Sequence, residues 1–458
     1  MKVIVCGAGQ VGFNIAKQLA AEQNDVTVID QSPQLIRRIS DSLDVQGIVG
    51  YASYPDVLDR AGANDADMII AVTQNDEVNM VACQVAHSLF SLPTKVARVR
   101  NQSYLQSQWR NLFSRDHMPI DVIISPEIEV GRAVLRRLDL PGSVESVPFV
   151  DERVQLVGVD LDDRCPVVNT PLRQLTELFP DLGIVIVGLV RNDKLIVPHG
   201  DDQMLIGDQV YFTAATEYVS RALQLFGHEE QKARRIILLG AGNIGLFVAR
   251  ELENSHRSVR VKLIEYNKDK AEAAADQLSR TAVLHGDGLD QDILREANVA
   301  ETEAVVALTD DDEVNILSSV LAKQSGCQRT ITLINNSDYS TLMRTLGIDT
   351  FIDPRATTVS KILQHVRKGR IKALHSLLDG AAEVIEAEAL ETATLVGKPL
   401  READIPSGIM IGAVAREDRI IIPRGDTVIR PGDRVVIFAI AAQVKTVEQM
   451  FRVSLEYF

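Results

Sequence analysis

The chain's 458 residues exceed one ordinary domain and leave room for three or four. Apolar residues make up 46% and charged residues 24%, a globular balance, while aromatics are only 5%, so the cores must be mostly Val, Ile, Leu and Ala, as suits buried parallel strands. A net charge of −15 repels nucleic-acid phosphates and anionic lipid headgroups, so no nucleic-acid partner is expected.

Strands are predicted at Lys2–Cys6, Val26–Asp30, Val45–Val49, Met68–Val72, Val96–Arg100 and Val122–Ile124, with helical segments between them. A last helix, Glu127–Leu138, follows Ser125-Pro126, and the Pro141-Gly142 turn closes this part. Residues 143–227 are richer in strands, and the polar stretch 228–234 reads as a linker. The pattern then starts again with Arg235–Leu239, Val259–Glu265, Ala282–Leu284, Val305–Leu308, Thr330–Ile334 and Phe351–Ile352, and a helix Ala356–Lys368 follows Asp353-Pro354. Residues 371–458 form a second strand-rich module, in which Ile409–Ala415, Arg419–Ile422 and Arg434–Ala439 precede a closing helix.

The repetition is literal. KVIVCGAGQVG (Lys2–Gly12) returns as RIILLGAGNIG (Arg235–Gly245), and AVTQNDEVN (Ala71–Asn79) as ALTDDDEVN (Ala307–Asn315). LVRNDKLIVPHGD (Leu189–Asp201) returns as VAREDRIIIPRGD (Val414–Asp426), with Gly207-Asp208 and Gly432-Asp433 following. Blocks recurring in one order mark a duplication. Alternating strands and helices mean a parallel sheet covered on both faces. The expected fold is α/β: two tandem Rossmann-type doubly wound parallel sheets, each followed by a small α+β module. The expected domains are 1–142, 143–227, 228–234 as linker, 235–370 and 371–458.

Each glycine loop follows an apolar strand and opens a helix. In Gly7-Ala8-Gly9-Gln10-Val11-Gly12 the first glycine allows the tight turn, the second lets backbone approach a pyrophosphate, and the third allows helix and strand to pack closely. The helix N-terminus then offers free N–H groups to an anion. Gly240-Ala241-Gly242-Asn243-Ile244-Gly245 repeats this. Alone, such a loop is also compatible with a structural turn. Here an acid ends the next strand in both copies, Asp30 and Glu265, at about the 20-residue spacing of a ribose-binding carboxylate. That acid accepts bonds from free ribose hydroxyls and repels a 2′-phosphate, so NAD or NADH is expected over the phosphorylated forms. ATP or ADP, which share the free ribose, fit the same cleft. Thr73, Gln74, Thr309 and Asp310 lie at strand ends where such sheets bind ligands. The following Asp-Glu-x-Asn segments also read as helix capping and dipole pairing.

These two glycine loops, two T-x-x-D-E-x-N segments and two P-x-G-D modules resemble the tandem RCK (regulator of potassium conductance) family, the peripheral regulatory subunits of bacterial Trk-type potassium-uptake systems. The phrase ADMIIAVTQNDEVNMVACQVAHSLF, Ala66–Phe90, is particularly similar, and the likeness spans essentially the whole chain. The resemblance implies a cytoplasmic protein docked on a membrane-embedded potassium channel subunit at the inner membrane. It implies NAD(H) binding, in some members ATP or ADP, and units pairing into a dimer or tetramer ring that gates ion flow. By position, the nucleotide contacts implied are Gly7–Val11, Asp30, Thr73, Gln74 and Arg98, and in the second copy Gly240–Ile244, Glu265, Thr309 and Asp310. Aligning Tyr104 with Tyr339 sets Leu333 opposite Arg98, and the third strand ends on Gly286-Asp287 where the first copy has Gly50-Tyr51, so the two sites differ; Asp287 joins the second set.

Other readings carry less. Tyr266 and Lys270 form a Tyr-x-x-x-Lys like that of a short-chain dehydrogenase, but they lie at the adenosine end rather than at the nicotinamide, so an NAD-dependent oxidoreductase is the rival and no catalytic set is assigned. The fold alone also suits a regulator of another cation transporter. The basic pairs Arg136-Arg137 and Arg367-Lys368 suit helix C-termini as well as a membrane surface. The longest apolar run, Leu182–Val190, is far short of the roughly 20 residues of a spanning helix, so direct membrane insertion is not expected. The chain opens on a strand, so no signal peptide is expected. Cys6, Cys83, Cys165 and Cys327 show neither metal spacing nor a disulfide framework, and the histidines form no metal set.

Overall fold

A computed structural model describes all residues except 180–181, 193, 344, 367–370 and 452–458. It divides into two compact units, Met1–Gly131 with Asp353–Val366, and Arg132–Ile352 with Arg367–Phe458.

The first unit holds a parallel sheet of β1 (Lys2–Cys6), β2 (Asp25–Asp30), β3 (Gln46–Val49), β4 (Met68–Ala71), β5 (Thr94–Arg98) and β6 (Val122–Ile124). Its helices are α1 (Gln10–Ala21), α2 (Pro33–Ser42), α3 (Pro55–Arg60) and α4 (Asp76–Phe90); α5 (Pro126–Asp139) follows β6. The order is β3-β2-β1-β4-β5-β6, so the winding reverses between β1 and β4. Val3–Cys6 and Met68–Ala71 are buried throughout. Helices cover both faces of such strands, which is why the sequence shows unbroken apolar runs rather than alternation. The reversal opens a crevice at the carboxyl ends of β1 and β4, where sheets of this kind take ligands.

The second unit starts with an antiparallel module of β7 (Ser143–Phe149), β8 (Val154–Asp160), α6 (Leu172–Leu178), β9 (Ile184–Arg191), β10 (Lys194–Ile196), β11 (Gln209–Ala215) and α7 (Val219–Leu225), in the order β10-β9-β11-β8-β7. A second parallel sheet follows: β12 (Arg235–Leu239), β13 (Arg260–Glu265), β14 (Ala282–His285), β15 (Ala304–Ala307), β16 (Arg329–Leu333) and β17 (Thr350–Ile352), ordered β14-β13-β12-β15-β16-β17. Its helices are α8 (Asn243–Ser255), α9 (Lys268–Gln277), α10 (Gln291–Glu296), α11 (Asp312–Gln324) and the short α12 (Ser340–Met343); α13 (Pro354–Val366) comes next in the chain. The last module has β18 (Ile371–Leu377), β19 (Ala382–Glu388), β20 (Ile409–Arg416), β21 (Arg419–Ile421), β22 (Arg434–Ile440) and α14 (Val444–Met450), ordered β18-β19-β22-β20-β21. The doubly wound sheets and their trailing modules are those expected.

Differences from expectation are local. The last helix of the second sheet starts at Pro354 and is described to Val366; Arg367, Lys368 and Gly369 lie outside the described residues, as does Asp193 in the repeated segment. Although α13 follows the second sheet in the chain, it packs on α1 and β6 of the first unit.

The third repeated block has a structural purpose. Arg191 Nε and Nη2 donate to Asp208 at 2.8 and 2.7 Å, and Arg416 Nε and Nη2 donate to Asp433 at 2.9 and 2.7 Å. Each aspartate is nearly inaccessible and also accepts a backbone N–H, from Leu205 or Arg430. A bidentate pair satisfied this way closes the turn before the next strand.

The two antiparallel modules share an apolar interface: Phe149, Leu156 and Val187 on one side, Leu377, Val384 and Phe438 on the other. Thr213 Oγ1 donates to Gly412 O at 2.7 Å, an approach that a Cβ at residue 412, 2.8 Å from the threonine, would prevent. Polar groups are paired at its edge. Glu386 is 1% exposed; it accepts from Arg434 Nε at 2.6 Å and from Val150 N at 2.8 Å. Glu145 meets His375 Nε2 at 3.2 Å and Arg137 at 3.5 Å. Burial works against its charge, but His375 and Arg137 outweigh that and hold the carboxyl down at about 2.

Candidate functional site: two nucleotide clefts

Local geometry explains each glycine of the first loop. Gly7 has φ +111°, a conformation that side chains resist, and its N–H donates to Ile29 O at 2.7 Å. A Cβ on Gly12 would fall 1.8 Å from Gly7 O, so only glycine lets α1 pack this closely on β1. Gly9 is different: a Cβ there would meet nothing within 4 Å. It is the N-cap of α1 and supplies no side-chain cap, so the N–H groups of the first turn, from Gln10 and Val11 onward, are left for another acceptor. Space plus unpaired donors fits a pyrophosphate.

The second loop repeats this. Gly240 has φ +100°, a Cβ on Gly245 would lie 2.0 Å from Gly240 O, and Gly242 faces open space as the uncapped start of α8, ahead of Asn243 and Ile244. By contrast α9, α10 and α11 carry side-chain caps from Asn267, Asp290 and Asp311. The bare N-terminus is where an anion would sit.

The strand-end acids are tied to the loops. Asp30 Oδ2 accepts from Ala8 N at 2.7 Å and its Oδ1 from Ser32 N at 2.8 Å. Glu265 Oε2 accepts from Ala241 N at 2.6 Å and its Oε1 from Asn267 N at 2.8 Å. Each carboxylate therefore braces its glycine loop while keeping lone pairs for ribose hydroxyls.

The next strand end joins the same crevice. A Cβ on Gly7 would lie 3.1 Å from Thr73 N, and one on Gly240 3.2 Å from Thr309 N, so loop and threonine are neighbours in both copies. Gln74 and Asp310 follow, both exposed. Arg98, at the end of β5, donates Nη2 to Thr73 O at 2.6 Å, and its Nε has no hydrogen-bond partner. Burial and the charge of Arg100 pull its pKa below the ordinary value. Asp287, after β14, is exposed and accepts from Leu289 N at 2.9 Å.

The Asp-Glu-x-Asn segments do more than cap. Asn75 and Asp311 are the N-caps, accepting from Val78 N at 3.0 Å and Val314 N at 2.9 Å. Asp76 instead accepts from Arg100 N and Asn101 N at 2.9 and 2.8 Å, which ends β5 at Arg98 rather than at the expected Arg100. Asp312 does the same for Asn335 N and Asn336 N, both at 2.7 Å. Fully buried Asn79 accepts from Thr73 N and Oγ1 at 2.9 and 2.7 Å, and donates to Thr73 O and Arg98 O at 3.2 and 3.0 Å. Asn315 makes the same bonds to Thr309 and Leu333. The matching bonds to Arg98 O and Leu333 O make those positions structural equivalents. The sequence signal was the repetition of Asn itself, but its partners lie too far along the chain to be read from spacing.

Tyr266 is 75% exposed and Lys270 is exposed as well, both beyond the end of β13. Among the described residues no group of three His, Cys, Asp or Glu side chains is placed to hold a metal ion. The four cysteines are free and buried, and burial pushes the Cys83 thiol up to about 12.

Comparison with known families gives this geometry its setting. The TrkA-N domain model matches residues 3–126 and 236–354, and the TrkA-C domain model matches residues 156–227 and 384–452. The chain belongs to the TrkA family. TrkA relatives match end to end: a "Trk system potassium uptake protein TrkA" of Azorhizobium caulinodans is 58% identical over 458 residues, covering 100% of both chains. One of the same name from Halomonas elongata is 41% identical, again over 100% of both. Among solved structures, the "GsuK channel bound to NAD" aligns with a TM-score of 0.60 and 17% identity over 98% of this chain and 78% of that one, a likeness of fold. The TrkA family thus accounts for both sheets and both modules.

Proposed function

We propose that this chain is the nucleotide-sensing regulatory subunit of a Trk-type potassium-uptake system. It works in the cytoplasm, on the inner face of the inner membrane, seated on a membrane-embedded potassium channel subunit, and assembles with copies of itself as a dimer or tetramer ring. The relatives' shared name, "Trk system potassium uptake protein TrkA", supports the system. No described helix is long and apolar enough to cross a membrane, so coupling to ion flow runs through that partner.

The observation that carries the nucleotide reading is the pair of uncapped helix starts at Gly9 and Gly242, each braced by a strand-end acid. The first site is assigned to Gly7–Gly12, Asp30, Thr73, Gln74 and Arg98, and the second to Gly240–Gly245, Glu265, Asp287, Thr309 and Asp310. The domains are assigned as 1–142 and 235–370 for binding, 143–227 and 371–458 for the trailing modules, with 228–234 as linker. NAD or NADH is the ligand the acids favour, and ADP or ATP, with the same free ribose, is the alternative. Ligand acts by unequal affinity for two arrangements of the assembly, not by chemistry. The residues assigned to the two sites supply no hydride-transfer chemistry, so bound NADH should persist.

Mass spectrometry of nucleotides retained by the purified chain tests this. NAD(H) or an adenosine phosphate should be recovered from the wild type and lost from a Gly9→Asp, Gly242→Asp double variant. Equal recovery from that variant, or steady NADH oxidation by the wild type with small carbonyl compounds, would overturn the reading.

A further inference from the structure

The nucleobase end of the first cleft has a feature that the repeat does not share. The sheet order runs β3-β2-β1. A pyrophosphate at the α1 N-terminus lies above β1 and a ribose at Asp30 above β2, so the base of the same ligand continues towards the end of β3. There Gly50 N donates to Asp30 O at 3.0 Å, and the chain presents Tyr51 and Tyr54. Both are surface residues, 50% and 52% exposed. Their rings contact each other, with centroids 5.1 Å apart and planes at 32°.

The ring pair leaves aromatic π-face open at the surface beside the cleft. Tyr54 also occupies the N-cap of α3, where it makes no side-chain cap. The second copy shows what the same backbone does without tyrosines. Gly286 N donates to Glu265 O at 2.9 Å, placing Asp287 at the position of Tyr51 and Asp290 at that of Tyr54. The main chain matches closely: Tyr54 N donates to Tyr51 O and Asp290 N to Asp287 O, each at 3.0 Å. Both aspartates bond to nearby backbone N–H groups, Asp287 to Leu289 N at 2.9 Å and Asp290 to Asp292 N at 2.8 Å. The aspartates thus serve the local turn. The tyrosines forgo it and keep an aromatic surface at the edge of the cleft.

We infer that Tyr51 and Tyr54 form the stacking platform for the nucleobase of a purine nucleotide at the first site, and that the second site, with Asp287 and Asp290, holds its base without one. This rests on the first cleft being a nucleotide site. Stacking uses the π-face that every base has, so it supplies affinity without reading the base edge. The first site therefore tolerates exchange of adenine for hypoxanthine.

The test uses the full chain carrying Gly242→Asp, so that calorimetry reports the first site alone. NADH and its hypoxanthine analogue are titrated into this background. Both should bind, within a few-fold of each other. Adding Tyr51→Ala and Tyr54→Ala should weaken both about tenfold or more, as loss of base–aromatic stacking does. Tyr51→Phe and Tyr54→Phe should restore binding, which separates ring stacking from loss of fold. Unchanged NADH affinity in the alanine variant, with binding still abolished by Gly9→Asp, would overturn the platform and leave the site standing. No NADH binding in the starting background, or binding indifferent to Gly9→Asp, would overturn site and platform together.

Discussion

The Asp30 carboxylate accepts the Ala8 N–H at 2.7 Å, so the residue we propose for the ribose also holds the glycine loop in shape. Glu265 and Ala241 repeat the relationship at 2.6 Å. On the proposed assignment, selectivity and loop geometry are coupled at one side chain in each cleft.

Asp30→Ala should lower NADH affinity at the first site by about tenfold to a hundredfold, the range for losing charge-assisted bonds plus a brace. Wild type should prefer NADH to NADPH, because the carboxylate repels a 2′-phosphate. Calorimetry giving equal affinities for the two in the wild type would contradict the assignment.

Asn79→Ala removes bonds that join the ends of β4 and β5 from a fully buried position. A loss of about 2–4 kcal/mol in unfolding free energy is expected, because Thr73 and Arg98 backbone groups lose their partner. Thermal melts should show the same direction for Asn315→Ala. A melting point unchanged by both would mean the staples are dispensable.

Acid should expose the Glu145 pair. Its carboxyl is held down at about 2, against 4.5 for the free group, so its contribution is full above about pH 4.5 and lost as pH falls towards 2. Glu145→Gln should lower stability at neutral pH and flatten its dependence between those limits. Urea unfolding at several pH values checks this; an acid limb identical to the wild type would exclude Glu145 as a contributor.

Arg98 and Leu333 occupy equivalent positions, so Arg98→Leu gives the first site the character of the second. A guanidinium that binds phosphate in one arrangement alone is a state-sensitive contact. An affinity ratio of about 100 between arrangements provides about 2.7 kcal/mol, enough to move a balanced channel. Arg98→Leu should leave the chain folded and channel-bound but uncouple flux from nucleotide. A full response retained by Arg98→Leu and lost with Gly242→Asp would place the switch in the second half.

Much of this was legible because it is local. The glycine turns, the strand-end acids and the repeated blocks lie within short windows, whereas Arg98 entered the proposed first site only through the family resemblance. What escaped is held by bonds between distant residues. The sequence offered Asp76 as a helix cap, yet Asn75 caps and Asp76 reaches across to Arg100 and Asn101. Nothing in spacing joins Glu145 to His375 or Thr213 to Gly412, because those pairs exist only once the two modules pack. The recurring Arg and Asp of the third block were visible, but not that they pair with each other.

The central claim is that nucleotide at the glycine loops sets potassium flux. Flux into proteoliposomes carrying the channel subunit and this chain, with and without NADH or an adenosine phosphate, measures it directly. The wild type should give a nucleotide-dependent change in flux, and the Gly9→Asp, Gly242→Asp double variant, folded and bound to the channel, should give none. A nucleotide response of full size in that double variant would contradict the account.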